Sequence, residues 1–233
     1  MDLIHTLLDF PNIHLYFYAV TWIISIIVYK KYFDTALKYF PVLLAYILLN
    51  ETLGNIISLY EDYSFISLKK YREYNVIIYN IYRYIFFSYF FFVYWSVCLK
   101  KESKNIIKYL GFTFFGICFI NIFLQDLLME TQLYTQVSGN IFLIVIILVY
   151  LKELLPRSTP YPHTNNLLFW VSLGLLVFYV SYLPLTFIRL SSNYFNFNPM
   201  DIRRVHILIV LLMYTCFIIG LLKIKRVRAN SLD

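Results

Sequence analysis

The sequence predicts an all-α, polytopic membrane protein: a bundle of seven transmembrane helices with its N-terminus outside and its C-terminus in the cytoplasm. Three observations carry this. Hydrophobic residues make up 61% of the 233-residue chain and charged residues 14%. Soluble domains hold roughly 45–50% and about 25%, so too little polar surface remains to face water. The apolar residues gather in runs long enough to cross a bilayer. Those runs are continuously apolar rather than alternating, which argues for helices that satisfy their own backbone and against a barrel.

Taken in order, the expected spans are Ile13–Tyr29, Thr35–Leu59, Asn75–Leu99, Ile106–Leu124, Gln136–Leu155, Asn165–Ile188 and Ile202–Ile224. At about 1.5 Å per residue each approaches the ~30 Å hydrocarbon core, the first and fourth being short. If one of the seven is not a span, it is the first. The whole chain, residues 1–233, reads as one seven-helix domain. Met1–Phe10 places Leu3, Ile4, Leu7 and Leu8 at helical spacing, as in a short interfacial helix or a frayed end. Asp2 and Asp9 replace the basic n-region of a cleavable signal, so the first apolar run is expected to stay in the mature protein.

Orientation follows from the basic residues. One set of loops holds Lys30, Lys31, Lys38, Lys100, Lys101, Lys104, Lys108, Lys152, Arg157, Lys223, Lys225, Arg226 and Arg228, thirteen in all. The opposite set holds six: Lys69, Lys70, Arg72, Arg189, Arg203 and Arg204. Acidic residues favour that sparse side, with Asp2, Asp9, Glu61, Asp62, Glu73, Asp126, Glu130 and Asp201. The richer set is therefore expected to be cytoplasmic. The net charge of +7 is spent in these loops. It forms no basic stripe on a soluble face, so nucleic acid is not an expected partner. The expected location is the cytoplasmic membrane of a bacterium, multi-pass, with the lipid bilayer as the first partner. A homo-oligomer or a separate signalling protein would carry any output.

Ionisable and polar side chains inside spans are costly and need a reason. Glu51 in the second span and Arg83 in the third both lie about eight residues from the outer end, ~12 Å deep. Opposite charges at matched depth on consecutive helices should meet. Asn50 and Asn55 accompany Glu51. Tyr79 and Asn80, at i−4 and i−3, share a face with Arg83. Gln125, Gln136, Asn140, Tyr182, Thr186 and His206 fall in the same outer half, and the inner half is mostly Leu, Ile, Val and Phe.

Two readings follow. Glu51, Arg83, Asn55, Tyr79, Asn80, Asn140 and His206 could line a ligand-binding pocket open to the outside. They could equally clamp helices together through interhelical hydrogen bonds, which contribute about 0.6 kcal/mol each. Asn80 and Asn140 lean towards the clamp. His206 sits near the interface, where a lone imidazole is cheap. Pro184 is expected to kink the outer end of its span rather than form a gate.

Common catalytic sets are missing. His5, His14, His163 and His206 share no HxxxH or HExxH spacing, so no metal site is expected. Cys98, Cys118 and Cys216 lie within spans and lack CxxC spacing. No GxSxG elbow, GxxxxGK[ST] loop or GxGxxG turn occurs. No catalytic residue and no cofactor is expected, and an enzyme is not the favoured class.

The segments YNIYRYIFFSYFFFVYW (Tyr79–Trp95), SGNIFLIVIILVYLKELL (Ser138–Leu155) and NNLLFWVSLGLLVFYVSYLP (Asn165–Pro184) resemble a group of small seven-helix membrane proteins common in the Bacteroidota. Asn80, Arg83 and Asn140 are the polar positions that carry the likeness, which covers most of the chain. It implies a fold and an envelope location and no activity. A looser similarity is to seven-helix sensor regions of bacterial signalling proteins. Unlike those, this chain is expected to carry no output domain. The leading expectation is a non-enzymatic sensor or binding protein with an outward polar pocket. The rivals are a small transporter of a polar or zwitterionic solute and a structural membrane subunit. Polar groups that stop short of the inner face tilt the choice towards binding, because a transporter's site opens to both sides.

Overall fold

The computed structural model describes residues 12–59, 76–156, 162–190 and 199–224. The interfacial helix expected at Met1–Phe10 lies outside them, as do residues 60–75 and 191–198 of the long outer loops. Among the described residues there are seven α-helices and no strand. They are α1 (Ile13–Ile27), α2 (Phe40–Leu59), α3 (Val76–Val97), α4 (Lys101–Leu124), α5 (Leu133–Leu154), α6 (Leu167–Leu190) and α7 (Pro199–Lys223).

Six of these, α2 to α7, are long and apolar enough to cross a membrane. The first is the exception. Its 15 residues cover only roughly 22 Å at 1.5 Å per residue, against about 30 Å of hydrocarbon. The expected shortness of the fourth span is corrected. Lys101–Asn105 continue the helix, giving α4 24 residues. That polar turn is helix-compatible, and apolar content alone had set the expected start too late. The start of α2 is corrected in the other direction, from Thr35 to Phe40. The Thr35 hydroxyl donates to the Tyr32 carbonyl at 2.7 Å and accepts the Leu37 N–H at 3.2 Å, closing a turn. Pro41 then falls in the first helical turn, where its missing N–H costs nothing. Pro199 opens α7 for the same reason.

Exposed aromatics show what surrounds these helices. On α4, Phe112, Phe115, Phe119 and Phe123 are all more than half exposed, Phe123 at 75%. Neighbouring Tyr109, Ile120 and Leu124 are exposed as well. A continuous apolar face of this size is untenable in water. Hydrocarbon covers it in an integral membrane protein, and that is what this chain is.

The chain divides into two compact units, residues 1–44 with 154–233, and residues 45–153. In the first, α1 packs on α7 through Tyr18 and Tyr214, with ring centroids 4.5 Å apart. Phe40, at the start of α2, meets Phe217 at 5.6 Å. The α6–α7 contact is close because two glycines permit it. A Cβ at Gly174 would strike the Met213 carbonyl, and one at Gly220 would strike Trp170. Small residues at such crossings are how membrane helices gain van der Waals contact without a hydrophobic drive.

The second unit is built around the aromatic face of α3. Phe87 and Phe91 both pack edge-on to Phe114 of α4, at 5.4 and 5.3 Å. Tyr94 meets Tyr150 of α5 at 5.3 Å. Gly139 of α5 gives its space to the Phe87 ring. On the other side, Tyr46 of α2 lies 6.2 Å from Tyr82. Rings from α3, α4 and α5 thus share this core with Leu143, Ile146 and Ile147 of α5, and rings bury much area with few rotatable bonds.

Candidate functional site

Most of the predicted polar residues fall at one end of the second unit. Glu51, Asn55, Tyr79 and Arg83 are half-buried, while Asn80 and Asn140 are buried. Helices α2 and α3 touch where the Tyr79 hydroxyl lies against Gly54, leaving no room there for a Cβ. Gly54 is one turn beyond Glu51, and Tyr79 is one turn before Arg83. The antiparallel register therefore holds Glu51 and Arg83 at similar height. Tyr79 lies within electrostatic reach of both.

Their expected ion pair is not formed. Among the described residues no salt bridge joins Glu51 to Arg83. Arg83 instead turns along its own helix, and its Nη1 donates to Asn80 Oδ1 at 2.8 Å. Position i−3 offers a side-chain carbonyl oxygen on the same face of the helix.

Asn80 is the structural centre of this end. Its Nδ2 donates to the carbonyls of Leu127 and Glu130, both at 2.9 Å. Its Oδ1 accepts the Gln132 N–H at 3.2 Å as well as the Arg83 bond. An asparagine side chain has two donor hydrogens and two acceptor lone pairs, so its whole capacity is used. Those four bonds also fix which way the amide faces. Through them α3 holds the loop between α4 and α5.

The loop reinforces itself. Gln132 Nε2 donates to the Gln125 carbonyl at 2.9 Å, and Gln125 Oε1 accepts the Leu133 N–H at 2.9 Å. The Asp126 carbonyl accepts the Glu130 N–H at 2.8 Å. Deeper in, Asn121 Nδ2 donates to Thr135 Oγ1 at 3.0 Å, tying α4 to α5 below the turn. Gln132, Thr135 and Asn121 are buried with Asn80. This set reads as a clamp.

Glu51 differs from all of these. Among the described residues it makes no hydrogen bond and no ion pair. The amide of its buried neighbour Asn50 has no hydrogen-bond partner at Nδ2. Asn140 Nδ2 is likewise without a partner. Asn140 follows Gly139, against which Phe87 packs, one turn along α3 from Arg83. His206 belongs to the first unit. It is half-buried on α7, with Tyr182 and Phe178 of α6 at 5.4 and 6.2 Å. Its ring therefore sits beside aromatic side chains about two turns into α7.

Sequence reasoning missed Glu153. It is 5% exposed in the last turn of α5. Its Oε1 accepts the N–H groups of Leu99 and Lys100, at 2.7 and 3.2 Å. The link between α3 and α4 is thereby held from α5, at the opposite end of the unit from Asn80. An acid in the last turn of a largely apolar span was the available signal. Gln132 and Thr135 were also missed, because they lie in or beside a turn outside the expected spans.

Among the described residues, no group of His, Cys, Asp or Glu is placed to hold a metal ion. Compared with known proteins, the chain matches no protein-family model, no curated protein and no solved structure.

Proposed function

We propose that this integral membrane protein is a non-enzymatic binding or sensing protein, and that Glu51 reads a cationic group on its ligand. The observation that carries the proposal is the contrast within one polar end. Asn80 and Arg83 are engaged with each other and with the loop, while Glu51 has no protein partner among the described residues. A charged side chain within a span is expensive and marks a functional position unless something neutralises it. A protonated amine or other small cation would supply the missing charge. Tyr79, packed on Gly54, and the unpartnered amide of Asn50 would supply polar contacts beside it.

The basic loops support an orientation with the Glu51 end outside and the C-terminus in the cytoplasm. In that frame the ligand is extracellular or periplasmic. The resemblance to small seven-helix proteins of the Bacteroidota fits a place in the cytoplasmic membrane. Output would pass to a partner protein or a second copy.

A thermal-shift screen of the purified protein against small amines, amino acids and neutral polyols tests this. A ligand at a hundred times its dissociation constant stabilises by about 2.7 kcal/mol. Stabilisation by amine-bearing compounds that Glu51→Gln abolishes, with the unliganded melting point kept, is the expected result. An equal shift in Glu51→Gln would contradict it. Uptake of the same compound into proteoliposomes would move the reading from sensor to transporter.

A further inference from the structure

The structure places an unneutralised cluster of lysines on a second, unrelated surface. Lys100, Lys101, Lys104 and Lys108 stand at the start of α4, with Glu102 the one acidic residue among them. Lys101, Lys104 and Lys108 follow a spacing of three and four residues, hence one helix face. Among the described residues, none of the four lysines makes an ion pair. The buried carboxylate of Glu153 directs Oε1 to the backbone N–H groups of Leu99 and Lys100.

The surroundings of this face are apolar and exposed. Lys104 Nζ lies 5.4 Å from the centre of the Trp95 ring, and Lys108 Nζ lies 5.8 Å from that of Phe112. Trp95 is 41% exposed and Phe112 64%. Phe92 lies beside Trp95, ring centroids 6.4 Å apart and tilted, and is exposed too. Ammonium groups therefore border exposed rings that acyl chains would cover. Lysines in the first turns of a helix also oppose its dipole, so the local field favours an anion.

We propose that this face binds the headgroup of an anionic phospholipid, with Lys101, Lys104 and Lys108 meeting the phosphate and Trp95 and Phe112 lying against the acyl chains. Charge complementarity selects the occupant. A neutral lipid would leave the ammonium groups unmatched, and a soluble anion would leave the rings uncovered. The site is independent of Glu51 and of any ligand there.

The test uses the full chain in nanodiscs made of equal parts phosphatidylcholine and phosphatidylglycerol. Native mass spectrometry reads which lipid stays bound after release. A lysine near an anionic surface contributes about 1 kcal/mol, a preference on the order of fivefold. Wild-type protein should retain phosphatidylglycerol over phosphatidylcholine by at least that factor. The triple variant K101Q/K104Q/K108Q should lose most of the preference, and K30Q/K31Q should keep it. Circular dichroism confirms that each variant is folded, and raised salt should weaken the wild-type preference without any substitution. Equal retention of both lipids by wild type would overturn the proposal and leave the lysines to topology or to an acidic protein partner. A preference unchanged in the triple variant, or lost equally in K30Q/K31Q, would overturn it too.

Discussion

Asn80 and Glu51 stand on facing helices at the same end of the second unit, and they have opposite accounts. Asn80 is 0% exposed and uses both donors and both acceptor sites on four named partners. Glu51 is half-buried and, among the described residues, has neither a hydrogen bond nor an ion pair. A spent polar group is architecture: it holds a loop and has nothing left to offer a ligand. An unspent one adds cost to the fold and is available. Polarity inside a span is therefore an ambiguous sign until its hydrogen bonds are counted.

The largest effect that separates the two should come from Asn80→Asp. The carboxylate can still accept from Gln132 and Arg83, but it cannot donate to the carbonyls of Leu127 and Glu130. Two part-buried acceptors then lose their donor, at most about 1–3 kcal/mol each. Thermal unfolding in detergent should show a loss of roughly 2 kcal/mol or more. A loss below about 1 kcal/mol would mean that the loop finds other donors.

Gly139→Ala comes next. The added methyl meets the Phe87 ring, which is itself packed against Phe114. Overpacking of this kind costs about 1–3 kcal/mol. Gly54→Ala on the Glu51 side makes the sharper comparison, since its obstacle is the Tyr79 hydroxyl. The double variant Gly54→Ala/Tyr79→Phe should recover much of the loss. Without recovery in the double-mutant cycle, α2 and α3 would not meet at that point.

Glu153→Gln should be milder. The amide keeps an oxygen for Leu99 and Lys100 and gives up the charge assistance, worth about 1 kcal/mol. Hydrogen exchange should speed up at Leu99 and Lys100 first. Uniform protection in the variant would deny Glu153 its hold on the link.

Much of this fold was legible in the sequence. The apolar runs revealed seven helices because a bilayer demands about twenty apolar residues from each true span. Ile13–Ile27 shows the limit, since its apolar run located a helix whose 15 residues fall short of that length. Matched depth set Glu51 and Arg83 at one level because rise per residue is fixed. It did not set their pairing, because side-chain direction depends on what else is in reach. Arg83 had Asn80 one turn away on its own helix. The partners of Asn80 left no mark in the sequence, since backbone carbonyls are the same in every residue. Glu153 was hidden for the same reason: its partners are N–H groups that any residue supplies.

The most direct test of the spent and unspent distinction puts Asn80→Leu beside Glu51→Leu in the same nanodisc and compares their unfolding temperatures. Removing Asn80 should strand the Gln132 N–H and the two loop carbonyls and lower stability by about 3 kcal/mol or more. Removing Glu51 should take a costly charge out of the span and leave stability unchanged or raised. If Glu51→Leu falls as far as Asn80→Leu, Glu51 is part of the clamp and the binding account is wrong.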